Sequence, residues 1–299
     1  MEEERVLNLN YDSPSEIRSL LEIMGLGPRK KWSQNFLINR GAREKLVNSI
    51  NLKKDDNVWE IGPGLGAITR ILLDKGVNLT TFEIDPGYIE YLIQSFKDDN
   101  NFQIIKGDVV KTWKSVFEQT GKPVGVVGNL PFNAASAIIA SFIENNSFPE
   151  QMAAIVQSEL ADRITSKPST KNYSSFSILC QYSCEVKDLG TLGSGSFYPK
   201  PNVSSKIIRM LPHQKYSDLI DQKLFFILVR DCFSSRRKTL QNNLKNAAGR
   251  RLQKYGSELL FDAFRDAGIE LSTRAEVLTV DQFVSASNRI SSLYIENVT

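Results

Sequence analysis

The chain has one histidine and three cysteines in 299 residues. It also has no apolar run approaching the roughly 18 residues that a membrane-spanning helix needs. Each shortage removes a class of chemistry. Ser-His-Asp triads, HExxH metal sites and zinc deaminases all require histidine in a set context. The single His213 stands instead in "LPHQKYSD", which reads as a linker with a solvated imidazole. Cys180, Cys184 and Cys232 are odd in number and form no CxxC, which points to buried structural thiols rather than a disulfide framework or a zinc site. No metal is expected. The opening residues, "MEEERVLNLNYDSPSEIRSLL", lack both the basic start and apolar stretch of a secretory signal and the Arg-rich character of a transit peptide. A soluble, cytoplasmic protein is the expectation.

What is present suffices for a sizeable core, since 41% of the residues are apolar and 9% aromatic. A length of 299 residues suggests about two domains. The net charge of +3 is modest, but it is unevenly spread. From Gly25 to Lys54 there are eight Lys or Arg against the single acid Glu44, and from Cys232 to Ser257 there are seven against none. One such run is ordinarily a solvated helix face. Two in an otherwise balanced chain point to contact with nucleic-acid phosphates, through Arg29, Lys30 and Lys31 in the first and Arg236, Arg237 and Lys238 in the second.

Along the chain, "SPSEIRSLLEIMG" is an amphipathic helix opened by Ser13 with Pro14 at its first position. A basic loop follows. Strands and helices then alternate: "DNVWEIG", "AITRILLDKG", "NLTTFEI", "PGYIEYLIQSFKD", "NFQIIKGD", "VVKTWKSVFEQ", "PVGVVGN". Near-continuous apolar strands separated by helices predict a parallel, doubly wound α/β sheet. Further on, "AASAIIASFIENN" reads as a helix, "QMAAIVQSELADRIT" as a strand running into a helix, and "SFSILCQYSCEVKDLG" and "VSSKIIRMLP" as later strands. From "DQKLFFILVRDCFSSRRKTLQNNLKNAAG" onward the pattern is helical throughout. The expected division is an α/β domain over 1–213 and a small all-helical domain over 214–299.

Four strand ends carry polar signals. "WEIGPGLGAIT" sets Gly62, Gly64 and Gly66 where a strand gives way to a helix, so that the backbone and the free N–H groups of the helix start can approach a ligand. The same letters satisfy GxGxxA, which keeps a nicotinamide cofactor and an oxidoreductase open. Glu83 follows about twenty residues on, placed to accept hydrogen bonds from ribose hydroxyls. Asp108 ends the third strand, able to accept from an adenine amino group or simply to cap the next helix. "GNLPF" closes the fourth strand. There the Asn129 side chain and the Leu130 carbonyl can accept from an exocyclic amine, Pro131 stiffens the turn, and Phe132 offers a face for stacking. Ligands in open α/β sheets bind outside the carboxyl ends of the strands, so all four signals face one crevice.

These motifs, together with "QNFL" at Gln34–Leu37, "EID" at Glu83–Asp85 and "FYPKPNVSS" at Phe197–Ser205, make the chain resemble the small-subunit ribosomal RNA adenine N6-dimethyltransferases of the KsgA type over nearly its whole length. The resemblance implies a Rossmann-like, class I methyltransferase domain that uses S-adenosylmethionine, and an RNA-recognising helical domain. It implies that Asn35, Leu37, Gly62, Gly64, Glu83, Asp108 and Asn129 contact the cofactor or its surroundings. It further implies that Asn129, Leu130, Pro131 and Phe132 hold the target adenine, that Phe197 meets the substrate, and that a monomer acts on the immature small ribosomal subunit. Phe132 departs from the family, where tyrosine is frequent. Two other readings share these features: a large-subunit adenine methyltransferase of the macrolide-resistance type, and a non-catalytic ribosome-assembly factor that binds RNA.

Overall fold

The computed structural model describes residues 9–26 and 35–298. Arg29, Lys30 and Lys31 of the basic loop therefore lie outside the described residues. The chain opens with helix α1 (Pro14–Ile23), whose Ser13 hydroxyl accepts from the Glu16 amide at 3.3 Å with Pro14 at the first position. Then come β1 (Phe36–Leu37) and α2 (Arg40–Asn48). The alternating region is β2 (Asn57–Ile61), α3 (Ala67–Asp74), β3 (Asn78–Glu83), α4 (Pro86–Ser95), β4 (Phe102–Lys106), α5 (Val109–Thr120), β5 (Gly125–Asn129) and α6 (Ala135–Glu144). It continues with β6 (Gln151–Gln157), α7 (Ser158–Thr165), α8 (Ser175–Ser183), β7 (Cys184–Leu192), β8 (Phe197–Tyr198) and β9 (Ser205–Pro212). The helices α9 (Gln222–Cys232), α10 (Leu240–Ala248), α11 (Gly256–Asp266) and α12 (Val280–Val298) end the chain. Among the described residues no helix is long and apolar enough to cross a membrane.

Seven strands form one sheet in the order β4-β3-β2-β5-β6-β9-β7, with β4 to β6 mutually parallel and β9 antiparallel to β6. The expected doubly wound sheet is this one. Its strands are apolar because both faces are covered: Val58, Trp59, Val126, Val127 and Met152 through Val156 are all buried. Strand order reverses between β2 and β5, and the carboxyl ends of these strands, at Ile61 and Asn129, flank that switch point. The two come together because position 128 is glycine. A Cβ there would lie 2.4 Å from the Ile61 carbonyl oxygen. A separate two-stranded ladder pairs Phe36 with Tyr198 and Leu37 with Phe197.

The chain makes two compact units. The first takes the residues up to Ala161 together with Val186–Pro212, and the second takes Asp162–Glu185 and everything from His213. The division at 213 is thus incomplete, because the second unit also claims an internal segment. "SFSILCQYS" is the helix α8 rather than a strand: Ser174 and Ser177 close a capping box at its start, and Ile178, Leu179 and Cys180 form its buried face. Tyr173 ties the segment to the final helices by donating to the Leu278 carbonyl at 2.9 Å. The long helix read across "FSSRRKT" is also interrupted. Asn243 on α10 donates to the Cys232 carbonyl at 2.7 Å and to the Ser235 carbonyl at 3.1 Å, ending α9 and folding Phe233–Thr239 into a turn. His213 belongs to the second unit, and its half-buried ring donates to the Gln181 carbonyl at 3.1 Å instead of standing free in solvent.

Candidate active site

The glycine turn follows β2 directly. Gly66 caps α3 in the left-handed region, at φ 87°, and a Cβ there would sit 2.6 Å from the Phe96 ring. Any other residue strains the backbone and displaces that ring. Gly64 lies against Phe36, whose ring also meets Tyr88 edge-on at 5.7 Å. Beneath the turn sits Glu60, fully buried on β2. Its Oε2 accepts from the Thr69 hydroxyl on α3 at 2.6 Å, and its Oε1 has no hydrogen-bond partner among the described residues. Burial, and secondarily the Glu83 carboxylate, push the Glu60 carboxyl up to about 8, against the opposing bond from Thr69. At neutral pH Glu60 is therefore mostly uncharged.

Glu83 ends β3 and is 6% exposed, not a surface charge. Its Oε1 accepts from the Ile84 amide at 2.7 Å and the Asp85 amide at 2.9 Å, while Oε2 accepts from the Gly64 amide at 3.2 Å. Burial raises its pKa and these three backbone bonds lower it, with a net rise. The Gly64 bond couples the carboxylate to the glycine turn. Asp108 does cap α5, accepting from the Val110 amide at 2.9 Å, and it lines the same cavity as Glu83. The two sequence readings of Asp108 are thus compatible.

Asn129 ends β5. Its Nδ2 donates to the Asn35 carbonyl at 2.8 Å, and because a carbonyl only accepts, the orientation of the side-chain amide is fixed. Oδ1 is left as a buried acceptor without a partner among the described residues. Leaving such an atom unpaired costs about 1–3 kcal/mol, which marks the position as built for a ligand. Pro131 accepts from the amides of Ala134 and Ala135, both at 2.9 Å, and so starts the turn into α6. Leu130 is buried, and Phe132 is half-buried on the cavity wall.

One cavity in the first unit joins these groups. Asn35, Leu37, Gly62, Gly64, Glu83, Asp108 and Asn129 all line it, and so do Leu130, Pro131 and Phe132. Phe197 does not. It is 1% exposed in the core, paired across the β1–β8 ladder, so its expected place against the substrate is not where the structure puts it. Arg236 also departs from expectation. It donates to Glu276, to the Lys171 carbonyl and, at 3.0 Å, to the Thr170 carbonyl, all within the second unit. Arg237 and Lys238 are exposed in the turn after α9. Sequence reasoning missed Tyr11, Ile17 and Phe36, which line the cavity from the N-terminal segment and β1. The signal for Ile17 was the apolar face of α1, where Ile17, Leu20 and Leu21 are buried and therefore need a surface to cover.

The donor set can be tested against S-adenosylmethionine, the cofactor the fold implies. Two carboxylates suit the ribose hydroxyls and the exocyclic amine of its adenosyl part, and the apolar walls at Phe36, Ile84 and Val109 suit its base. The residues fit. Sheet order, glycine turn and strand-end acceptors define a Rossmann-like, class I methyltransferase that uses S-adenosylmethionine. The model of the ribosomal RNA adenine dimethylase family matches residues 26–292. The chain is 42% identical to "Ribosomal RNA small subunit methyltransferase A" of Treponema denticola, over 95% of this chain and 97% of that one. It is 39% identical to the protein of the same name from Borreliella burgdorferi, over 96% and 98%. A crystal structure of a dimethyladenosine transferase from Plasmodium falciparum shares the fold, with a TM-score of 0.73 and 24% identity over 85% of this chain and 96% of that one. The chain belongs to the ribosomal RNA adenine dimethylase family and is a methyltransferase.

Proposed function

We propose that this enzyme transfers methyl groups to N6 of two adjacent adenines of small-subunit ribosomal RNA, giving N6,N6-dimethyladenine, on a subunit still being assembled. The observation that carries this reading is the buried Oδ1 of Asn129, unpartnered among the described residues, beside Leu130 and Phe132. Bound S-adenosylmethionine supplies an activated methyl on its sulfonium. The chain's own residues do the rest by placement. Adenine N6 is a poor nucleophile because its lone pair is delocalised into the ring. Before the first transfer Asn129 Oδ1 and the Leu130 carbonyl accept its two hydrogens, drawing the nitrogen toward a pyramidal geometry with its lone pair free. The nitrogen releases one proton for each methyl it gains, so that one hydrogen is left to be accepted before the second. Phe132 stacks on the base. As a phenylalanine it offers a face and no hydroxyl, so stacking alone holds the ring there. A base inside an RNA helix cannot reach the cavity and must be turned out, at a cost of a few kcal/mol, on the order of one base flip.

Glu83 and Asp108 hold the cofactor's hydroxyls and amine, and Asn35, Leu37, Gly62 and Gly64 form its surroundings. The helical unit grips phosphates through Arg237 and Lys238, and the loop with Arg29, Lys30 and Lys31 adds a second contact. The proposal places the enzyme in the cytoplasm as a monomer. The names carried by its relatives favour the small subunit over the large. The test is to treat naked large-subunit RNA fragments and immature small subunits with the purified protein and map dimethyladenine in each. Modification confined to the large-subunit RNA would overturn the substrate assignment, and tight RNA binding with no transfer at all would favour the assembly-factor reading.

A further inference from the structure

Arg43 is 4% exposed, on the buried face of α2. A buried guanidinium needs both a counter-charge and hydrogen-bond acceptors. It finds them on two separate segments. Nη2 pairs with the Asp12 carboxylate, just ahead of α1, and Nη1 donates to the Leu37 carbonyl on β1 at 2.8 Å. The Tyr11 ring lies beside the same guanidinium, 6.0 Å from its Cζ. Arg18 on α1 adds another anchor in this unit, donating to the Tyr198 hydroxyl at 3.1 Å, and Ile17, Leu20 and Leu21 bury the apolar face of the helix.

Leu37 and Tyr11 both line the cavity that Glu83 and Asn129 line. The two walls they belong to are 26 positions apart in sequence by their numbers, and one side chain fixes both. The geometry points to Tyr11 as a cofactor-binding residue that closes one wall of the S-adenosylmethionine site, with Arg43 and Asp12 as the pair that positions it. Asp12 directly follows Tyr11, so anchoring one carboxylate anchors the ring. Ile17, at the first buried position of α1, extends the same wall. This inference rests on the cofactor assignment, and it adds the N-terminal segment to a site otherwise built from strand ends.

The experiment is calorimetric binding of S-adenosylmethionine, and of its demethylated product, to the parent, Tyr11→Ala, Tyr11→Phe, Asp12→Asn and the double variant Tyr11→Ala/Asp12→Asn. Melting temperatures of the ligand-free proteins serve as the folding control. Removing the ring should raise Kd for both ligands about tenfold, the scale expected from loss of one buried aromatic surface. Tyr11→Phe keeps the surface and should stay within about threefold of the parent on the same reasoning. Asp12→Asn should weaken binding severalfold, and the double variant should bind no worse than Tyr11→Ala alone, because Asp12 acts through Tyr11. In transfer assays the KM for the cofactor should rise while kcat and RNA affinity hold. Parental cofactor affinity in Tyr11→Ala would overturn the inference. So would an Asp12→Asn protein that melts lower but binds as the parent does, since the pair would then be structural only. A parent that binds no S-adenosylmethionine would overturn the cofactor assignment itself, and this inference with it.

Discussion

Asn129 and Asn35 stand 94 positions apart in sequence, yet the side-chain amide of the first donates to the carbonyl of the second at 2.8 Å. That bond decides which end of the amide faces the cavity. Asn129→Ala removes the acceptor, and Asn129→Asp removes the donor and sets a carboxylate oxygen against the Asn35 carbonyl. Each should lower methyl transfer about a hundredfold or more, the usual loss for one positioned polar group, with the melting temperature near the parent's in Asn129→Ala and lowered in Asn129→Asp by the repulsion between the two oxygens. Turnover of Asn129→Ala above about a tenth of the parent rate would take Asn129 out of the mechanism.

Glu83→Ala should weaken S-adenosylmethionine binding by about 1.5–3 kcal/mol, the range for hydrogen bonds to a charged group. The Gly64 amide also loses its acceptor, so the glycine turn loosens along with the proposed ribose contact. RNA affinity should not change. Calorimetry showing parental cofactor affinity would mean that the crevice binds its ligand in another orientation.

Glu60 gives a pH signature. Its folded value is raised to about 8 from 4.5. The folded protein therefore holds a proton that the unfolded chain has released, and stability falls as pH rises between those values. The contribution is fully present below about pH 4.5 and is lost by about pH 8. The slope is on the order of 1.4 kcal/mol per pH unit within that window. Glu83 shifts in the same direction, so the isolating comparison is with Glu60→Gln, which keeps an acceptor for Thr69 and carries no charge. The variant should melt with a visibly flatter pH profile and exceed the parent's stability above pH 8. Parallel profiles would show that Glu60 is ionised in the folded state.

The strand ends were legible because a parallel sheet announces itself in apolar runs, and Glu83, Asp108 and Asn129 interrupt those runs at the positions where they leave the sheet. The sequence of α8 was harder to read, since "SILC" is as apolar as a strand and only the Ser174–Ser177 capping box marks a helix start. Glu60 read simply as part of a motif. That it is mostly uncharged depends first on its burial and secondarily on Glu83, against the opposing bond from Thr69, and only the folded chain brings these together. The acid-free second basic run concealed its ion pairs for the same reason. Its partners come from outside the run: Glu276 takes Arg236, and Asp231, one residue upstream, pairs with Arg251 at 3.3 Å.

The basic turn after α9 therefore divides by role. The Arg236 guanidinium meets Glu276 and the carbonyls of Lys171 and Thr170, which pins the 166–174 loop to the turn. Arg237 and Lys238 are exposed on that turn and have no such partners among the described residues. Arg236→Gln should thus lower stability by about 1–2 kcal/mol, the worth of charged hydrogen bonds discounted for partial exposure. It should leave the dependence of RNA affinity on salt unchanged. Arg237→Gln/Lys238→Gln should do the reverse. Each lost phosphate contact flattens the slope of log affinity against log salt by about 0.7 on single strands and about 0.9 on duplex. Melting curves and RNA titrations at several salt concentrations separate the two cases. If the Arg237/Lys238 variant keeps the parent's slope, the turn is a solvated face, and phosphate recognition must rest on the first basic run at Arg29, Lys30 and Lys31.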